Sequence, residues 1–177
     1  GWVVTRGAGQ NSTYYGKIED IVVAQEYVTP AGILKTQEHP RCAVGPDFDQ
    51  IMMGSEGAFG VLVNVTLRVF RWQPQNRKRY SYMFKDWQSA REACREIMQS
   101  EFGFPSVFRL SDPEETDVAM KIYHIEGTLA DTFLKAFGYK PMQKCLLLGH
   151  TDGELTFSRN VDHQLRKICM KHGAFNL

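Results

Sequence analysis

Residues 54–69 read Gly-Ser-Glu-Gly-Ala-Phe-Gly-Val-Leu-Val-Asn-Val-Thr-Leu-Arg-Val, and the organisation of the whole chain depends on this stretch. Glycine occupies positions 54, 57 and 60, a spacing of three. Glycine adopts positive φ angles without steric cost and lets a ligand approach the backbone closely. Successive free N–H groups in such a turn form an anion-binding concavity, and the Ser55 hydroxyl adds a further donor. The loop is therefore a candidate ligand-binding element.

The residues that follow the loop alternate between two faces, which predicts a half-buried strand. One face carries Val61, Val63, Val65, Leu67 and Val69. A loop that precedes a strand differs from the dinucleotide- and phosphate-binding fingerprints, in which a strand leads into the loop and a helix follows it. On spacing alone, a tight turn before an edge strand is favoured over a binding loop.

The composition excludes several classes of protein. The chain has 177 residues and a formal net charge of +1, so it lacks the positive charge on which non-specific nucleic-acid binding depends. The histidines are dispersed, and Cys42, Cys94, Cys145 and Cys169 include no closely spaced pair, so we predict no metal site and reduced thiols. No apolar run is long enough to span a membrane and no signal peptide is recognisable, which predicts a protein that is not secreted.

Residues 71–79 mark a change in composition. Their sequence, Arg-Trp-Gln-Pro-Gln-Asn-Arg-Lys-Arg, lacks apolar periodicity, which predicts a connection between a first domain, residues 1–72, and a second, residues 73–177. The alternative is a basic patch for nucleic acid with Trp72, Tyr80 and Tyr82 as aromatic neighbours. The near-neutral net charge favours the connection.

The second domain contains two β-α-β patterns. They predict a ferredoxin-like antiparallel sheet with helices on one face, and an α+β class for the chain. One helix has a clear start, with Asp112 as the N-cap, Pro113 as the first helical residue and Glu115 placed to close a capping box. In the strand before it, Arg109 lies among apolar neighbours. Its side chain either points to solvent or faces a cleft, where a guanidinium suits a carboxylate or phosphate.

Five ordered segments resemble the landmarks of one family. They are Gly-Trp-Val-Val-Thr-Arg-Gly-Ala-Gly at 1–9, Tyr-Gly-Lys-Ile-Glu-Asp-Ile-Val-Val at 15–23, Val-Thr-Pro-Ala-Gly at 28–32, Met-Gly-Ser-Glu-Gly-Ala-Phe-Gly-Val at 53–61, and Phe-Pro-Ser-Val-Phe-Arg-Leu-Ser-Asp at 104–112. Together they resemble the FAD-linked oxidases of the vanillyl-alcohol-oxidase type, in the branch of alkylglycerone-phosphate synthase (alkyldihydroxyacetonephosphate synthase). The resemblance covers essentially the whole chain, and in the second domain it is specific mainly around Arg109.

The resemblance implies that the first domain is the second half of a PCMH-type FAD-binding domain, and that the second is the opening part of a cap domain. It also implies that FAD contacts two loops. The residues concerned are Thr5, Arg6, Gly7 and Ala8 in the first loop, and Gly54, Ser55, Glu56, Gly57, Ala58, Phe59 and Gly60 in the second. The resemblance further implies that Arg109 is important for catalysis, by holding the anionic end of the substrate or by ordering the flavin site.

The implied function is that of the synthase branch, in which the flavin N5 holds a dihydroxyacetone-phosphate unit while a fatty acid leaves and a fatty alcohol replaces it. The alternative is an oxidase or dehydrogenase of 2-hydroxy acids, with hydride transfer to the same N5. A non-catalytic, ferredoxin-like nucleic-acid-binding module is a third hypothesis. The synthase branch implies a small-molecule or lipid-like substrate and a cytoplasmic or organellar location, peroxisomal in eukaryotes. Peripheral membrane contact and a homodimer remain open.

The chain departs from the family in two ways. Ala8-Gly9 and Ala58-Phe59 alter positions that are small or aliphatic in the family, which is a mild change. The family's upstream Gly-rich pyrophosphate loop and its downstream catalytic tyrosine and histidine lie outside the sequence. We therefore expect an internal fragment that by itself neither holds FAD tightly nor turns over.

Overall fold

The chain forms two antiparallel sheets together with helices, so the predicted α+β class is confirmed. The computed structural model describes residues 1–39 and 43–177, apart from the side chain of residue 130. Cys42 therefore lies outside the described residues. The chain divides into two compact units, Gly1–Arg71 and Trp72–Leu177, each of which is described by itself.

The first unit is a three-stranded sheet with short helices around it. Its elements are α1 (Ser12–Tyr15), α2 (Ile18–Ile21), β1 (Val22–Thr29), β2 (Gly32–Lys35), α3 (Phe48–Met52) and β3 (Val61–Leu67). The strand order is β2-β1-β3, and both pairings are antiparallel. The Gly-rich loop lies between α3 and β3, so its position depends on how these two elements are held.

The predicted alternation along β3 is wrong. Leu62 and Val65, three residues apart, both pack against the buried cluster, whereas Val61 and Val63 are exposed. The cause is an irregularity in the pairing with β1: Glu26 pairs with Asn64, but the next residue of β1 pairs with Leu62. Val63 is thus an extra residue on β3, and a β-bulge of this kind exchanges the faces on its two sides.

A buried polar network fixes α3 against β1. The Tyr27 ring is fully buried, and its hydroxyl donates to Gln25 Oε1 (2.8 Å) and to Met52 O (3.3 Å). The Gln25 amide donates in turn to Asp49 Oδ1 (2.8 Å), which also accepts from the Thr36 hydroxyl (2.8 Å). Because buried polar groups are costly unless they are paired, this network sets the position of α3. The Gly-rich loop starts from that fixed point.

The second unit has the ferredoxin-like strand order that its sequence predicts. Its elements are a 3₁₀ turn (Pro74–Asn76), β4 (Lys78–Phe84), α4 (Trp87–Gln99), β5 (Val107–Ser111), α5 (Pro113–Ile122), α6 (Leu129–Ala136), β6 (Cys145–Thr151), α7 (Leu155–Lys171) and β7 (Phe175–Asn176). The sheet order is β5-β6-β4-β7 with antiparallel pairing throughout. Residues 78 and 79, predicted as part of the connection, belong to β4 because they pair with Thr151 and His150.

The two faces of this sheet are covered differently. Alternate strand residues such as Tyr82 and Leu147 pack with α4 and α7 in the main core. Met83 and Leu146 point the other way and pack with Met120 of α5 and Leu134 of α6. The prediction of helices on one face holds for α4 and α7, whereas α5 and α6 lie over part of the opposite face.

The cysteines of the second unit are free thiols in or beside its core. Burial raises the pKa of Cys94 to about 12, of Cys145 to about 11 and of Cys169 to about 12. Over residues 1–39 and 43–177, the side chains form no group of three or more potential metal ligands. Within the same ranges, no helix combines the length and apolar character needed to cross a membrane.

Candidate functional site

The two loops singled out by the sequence lie side by side in the first unit. The Gly54 N–H donates to Val3 O (3.2 Å), and the Glu56 N–H donates to Val4 O (3.0 Å). An added Cβ at Gly54 would come within 3.1 Å of Arg6 Cβ, so the backbones approach closely. The structure therefore brings residues 5–8 and 54–60 to one place.

The glycines of the second loop have different roles. Gly60 has a φ of +157°, and a Cβ there would lie 2.5 Å from Val28 O, so this glycine permits close packing against β1. Gly57 has a φ of +89°, and a Cβ there would meet no atom within 4 Å. Since a left-handed φ disfavours larger residues, both positions need glycine. Only Gly57 faces open space.

The loop keeps part of its hydrogen-bonding capacity unused. The amides of Gly54, Ser55, Glu56 and Ala58 donate to backbone carbonyls of the protein. No acceptor in the described part of the chain engages the amides of Gly57 and Phe59. Ser55 Oγ is buried and has no partner among the same residues. A buried polar atom without a partner is uncommon, so these donors are suited to an external acceptor.

The first loop is held by Arg6. This residue has a φ of +53°. Its Nε donates to Glu19 Oε2 (2.8 Å) and its Nη2 to Gln50 Oε1 (2.5 Å). Hydrogen bonds from Lys17 and then from Arg6 lower the pKa of the Glu19 carboxyl. The Arg6 guanidinium thus connects the loop to the elements on either side of it.

The other residues of the first loop present backbone and small side chains. The Thr5 hydroxyl donates back to Gly1 O (3.0 Å). Gly7 and Ala8 line a pocket of about 250 Å³, whose walls also include Trp2, Tyr15 and Ile18. A pocket of this size and apolar character admits one ring system rather than a whole dinucleotide. The sequence did not predict it, because Trp2 and Tyr15 belong to two separate segments that only the fold brings together.

A larger pocket of the first unit, about 470 Å³, contains none of the predicted residues. Its walls include Lys35, His39 and Asp47. Its walls also include Glu19 and Gln50, the partners of Arg6, so it adjoins the first loop without containing any residue of it.

Arg109 belongs to the second unit, and its side chain is about half exposed. It lies on β5 opposite Leu148 of β6. Its Nη2 donates to Glu115 Oε1, and this hydrogen bond is the main cause of a lowered pKa of the Glu115 carboxyl. Glu115 thus binds the guanidinium, and the Glu115 N–H donates to the Asp112 cap (2.7 Å). An exposed pair of this kind contributes about 0–1 kcal/mol to stability, so it orients Arg109 more than it stabilises the fold.

The basic segment at residues 71–79 is partly engaged within the protein. Arg77 forms a bidentate pair with Asp152, at 2.6 Å and 3.2 Å. Its guanidinium also lies over the Trp72 ring, 5.8 Å from the centroid. Two of the side chains on which a nucleic-acid patch would depend therefore contact each other and a carboxylate.

Comparisons with known proteins identify relatives of this chain. It is 40% identical over 116 residues to an uncharacterised FAD-linked oxidoreductase, YgcU, of Escherichia coli (strain K12), an alignment that covers 65% of the chain and 24% of YgcU. It is 38% identical over 116 residues to the alkyldihydroxyacetonephosphate synthase of Caenorhabditis elegans, covering 65% of the chain and 19% of that protein. The chain thus spans a quarter or less of the length of these relatives. No family model matches it.

A solved structure of an alkyldihydroxyacetonephosphate synthase has the same fold over this length. The TM-score is 0.85 with 28% sequence identity, and the match covers 99% of this chain and 32% of that one.

Proposed function

The chain is homologous to a segment of the alkyldihydroxyacetonephosphate synthases and of an FAD-linked oxidoreductase, and from this premise we propose that it forms part of an FAD-dependent enzyme of the synthase type. In this proposal, residues 1–72 contribute to the FAD-binding domain and residues 73–177 to the cap domain. The observation that carries it is the contact between residues 5–8 and 54–60.

The residues of the first unit suit a flavin dinucleotide. The amides of Gly57 and Phe59 and the hydroxyl of Ser55 are donors without partners among the described residues, as a diphosphate or a ring carbonyl requires. The pocket beside Gly7 and Ala8 admits a ring system. Arg6 holds the first loop through Glu19 and Gln50. The binding is thus assigned mainly to backbone atoms and small side chains, which explains why no Rossmann fingerprint is needed.

When bound, FAD supplies the reactive N5 of its ring system. The reaction we propose is exchange of the acyl group of acyl-dihydroxyacetone phosphate for a fatty alcohol, in which a fatty acid leaves and the alcohol oxygen enters an ether bond. In this reaction Arg109 holds an anionic group of the substrate, and Glu115 orients the guanidinium. A lipid-like substrate, a homodimer and an organellar, for example peroxisomal, location belong to the same proposal.

The test is made on the full-length protein. We expect it to purify with flavin absorbance, and to release fatty acid and form an alkyl ether when given acyl-dihydroxyacetone phosphate and a fatty alcohol. Flavin absorbance without ether formation would remove the synthase assignment. If the protein contained no flavin after reconstitution with FAD, the assignment to an FAD-dependent enzyme would be wrong.

The similarity to YgcU, an FAD-linked oxidoreductase, favours a second candidate, a redox enzyme, for which we propose a 2-hydroxy acid as the substrate. The two are separated by adding candidate substrates anaerobically and following the flavin spectrum. Bleaching by a 2-hydroxy acid supports the oxidase, whereas ether formation without net bleaching supports the synthase.

Replacement of Arg109 by lysine should leave fold and flavin content intact but reduce turnover. An ammonium group has no planar fork for an anion, and loss of one charge-assisted hydrogen bond costs roughly 1.5–3 kcal/mol, or about tenfold to a hundredfold in rate. Steady-state kinetics of the full-length variant measure the effect. Arg95→Lys is the matched control, because Arg95 forms a similar exposed pair with Glu92 (2.7 Å) on α4. Equal turnover in both variants would make Arg109 an ordinary surface residue.

A further inference from the structure

Three basic side chains share the partly uncovered face of the second sheet. Arg79 of β4 pairs directly with His150 of β6, and His150 pairs with Val107 of β5. Arg109 lies two residues after Val107 on β5 and therefore points to the same side. Tyr80 and Tyr82 point to the opposite side, where α4 and α7 cover them. Directly paired Cβ atoms are about 5 Å apart and diagonal neighbours about 7–8 Å apart, so His150 lies beside each arginine and between the two strands that carry them.

Charge on this face is only partly compensated. Asp152 is paired with Arg77, and Glu115 with Arg109. Arg79 is exposed, and no carboxylate contacts it among residues 1–39 and 43–177. The face thus carries one more guanidinium than carboxylate groups, and an anion would compensate it.

His150 adds a polar group beside the arginines. Its Nε2 is buried and lies 3.2 Å from Asp152 Oδ2, but it forms no hydrogen bond with the described residues. Burial is the main cause of a lowered pKa of His150; the Asp152 carboxylate opposes this shift, and Arg77 and Arg79 add to it. The lowered pKa favours the uncharged imidazole, whose ring nitrogens offer hydrogen-bonding positions beside the arginines. Guanidinium groups beside a neutral imidazole suit an anion with several acceptor oxygens.

We propose that this face, defined by Arg79, His150 and Arg109, binds the anionic group of the substrate, with Arg79 as a direct ligand. The ligand chemistry is a carboxylate or a phosphate, and the identity of the substrate rests on the proposed function. Arg79 and Arg109 both bind the anion, and Asp152 lies beside His150. A guanidinium binds either group through two parallel hydrogen bonds.

The experiment measures binding of two probes to the full-length protein by calorimetry. Dihydroxyacetone phosphate represents the phosphate, and oxalate represents a carboxylate that cannot be oxidised. Arg79→Gln should raise the Kd of the probe that binds by about tenfold or more, the effect of losing a charge-assisted hydrogen bond. Arg91→Gln is the control, because this exposed arginine lies on α4, which packs on the opposite face of the sheet. The Kd of this variant for the same probe should stay within about twofold of the wild-type value.

Each outcome decides one question. A loss of affinity confined to dihydroxyacetone phosphate identifies a phosphate site, and a loss confined to oxalate identifies a carboxylate site. An unchanged Kd in Arg79→Gln, or no binding of either probe to the wild type, overturns this site. Flavin absorbance is recorded on the same samples. If a protein without flavin bound a probe and lost this binding in Arg79→Gln, the proposed function would be wrong but the anion site would be supported.

Discussion

Replacing Gly149 by alanine should strongly destabilise the second unit. Gly149 lies on β6, the strand between β5 and β4, and a Cβ there would come within 1.9 Å of Val107 O and 2.5 Å of Tyr80 Oη. The Tyr80 hydroxyl lies over this glycine and donates to Val107 O (2.6 Å). The methyl group would therefore meet a backbone carbonyl inside the sheet and a buried hydroxyl at once, and neither can move without breaking the ladder.

The expected cost is a substantial fraction of the stability of a domain. Overpacking in a core costs about 1–3 kcal/mol and occasionally more, and contact with a backbone atom places this variant at or above the upper end. Domains are stable by only about 5–15 kcal/mol. Denaturant unfolding of the full-length protein measures the loss. Gly9→Ala is the control, because Gly9 is exposed and a Cβ there meets nothing within 4 Å. If Gly149→Ala and Gly9→Ala had the same denaturant midpoint of unfolding, the close packing around Tyr80 would be contradicted.

Replacing Gly57 by valine should abolish FAD binding while the first unit stays folded. A Cβ at Gly57 meets no protein atom within 4 Å, so the new side chain would occupy the space left for a ligand. The φ of +89° adds a backbone strain of about 1–2 kcal/mol, which shifts the turn and moves its free amides. We expect FAD affinity to fall by about tenfold or more, because the moved amides lose their contacts with the ligand and the side chain blocks its space.

The control for this variant is Gly32→Val. Gly32 belongs to the same unit, has a φ of +125° and likewise has no atom within 4 Å of an added Cβ, but it lies in the β1–β2 hairpin. Both variants carry backbone strain, yet only Gly57→Val should purify without flavin colour. Full flavin occupancy in Gly57→Val would exclude the loop from the cofactor site. Loss of flavin in both would attribute the effect to general destabilisation.

Local chemistry in the sequence was sufficient for much of the fold. Asp112 caps α5 as predicted and accepts from Glu115 N (2.7 Å), and Asp86 caps α4 in the same way, accepting from Ser89 N (2.8 Å). The strand order of the second unit followed from two β-α-β patterns. The caps depend on neighbouring residues only, and the strand order follows from the succession of strands and helices along the chain, which a single sequence also contains.

Features that depend on distant pairing were missed. The bulge at Val63 results from the register between β3 and β1, which no local alternation encodes. Glu115 has the position of a capping-box residue, but a guanidinium six residues earlier offers it a stronger partner. Arg79 and His150 are separated by most of the second unit in sequence, and only the β4–β6 register places them opposite each other. The individual cofactor contacts and the domain assignment remain predictions.

The hydrogen bonds from Gly54 and Glu56 to Val3 and Val4 have a mechanical consequence. They attach the glycine-rich loop to the backbone that leads directly into the first loop, and Arg6 links that loop to Glu19 and Gln50. These contacts couple the two loops, so we expect a displacement of one to be transmitted to the other. Release of a molecule that touches both would then require a joint movement of the two loops.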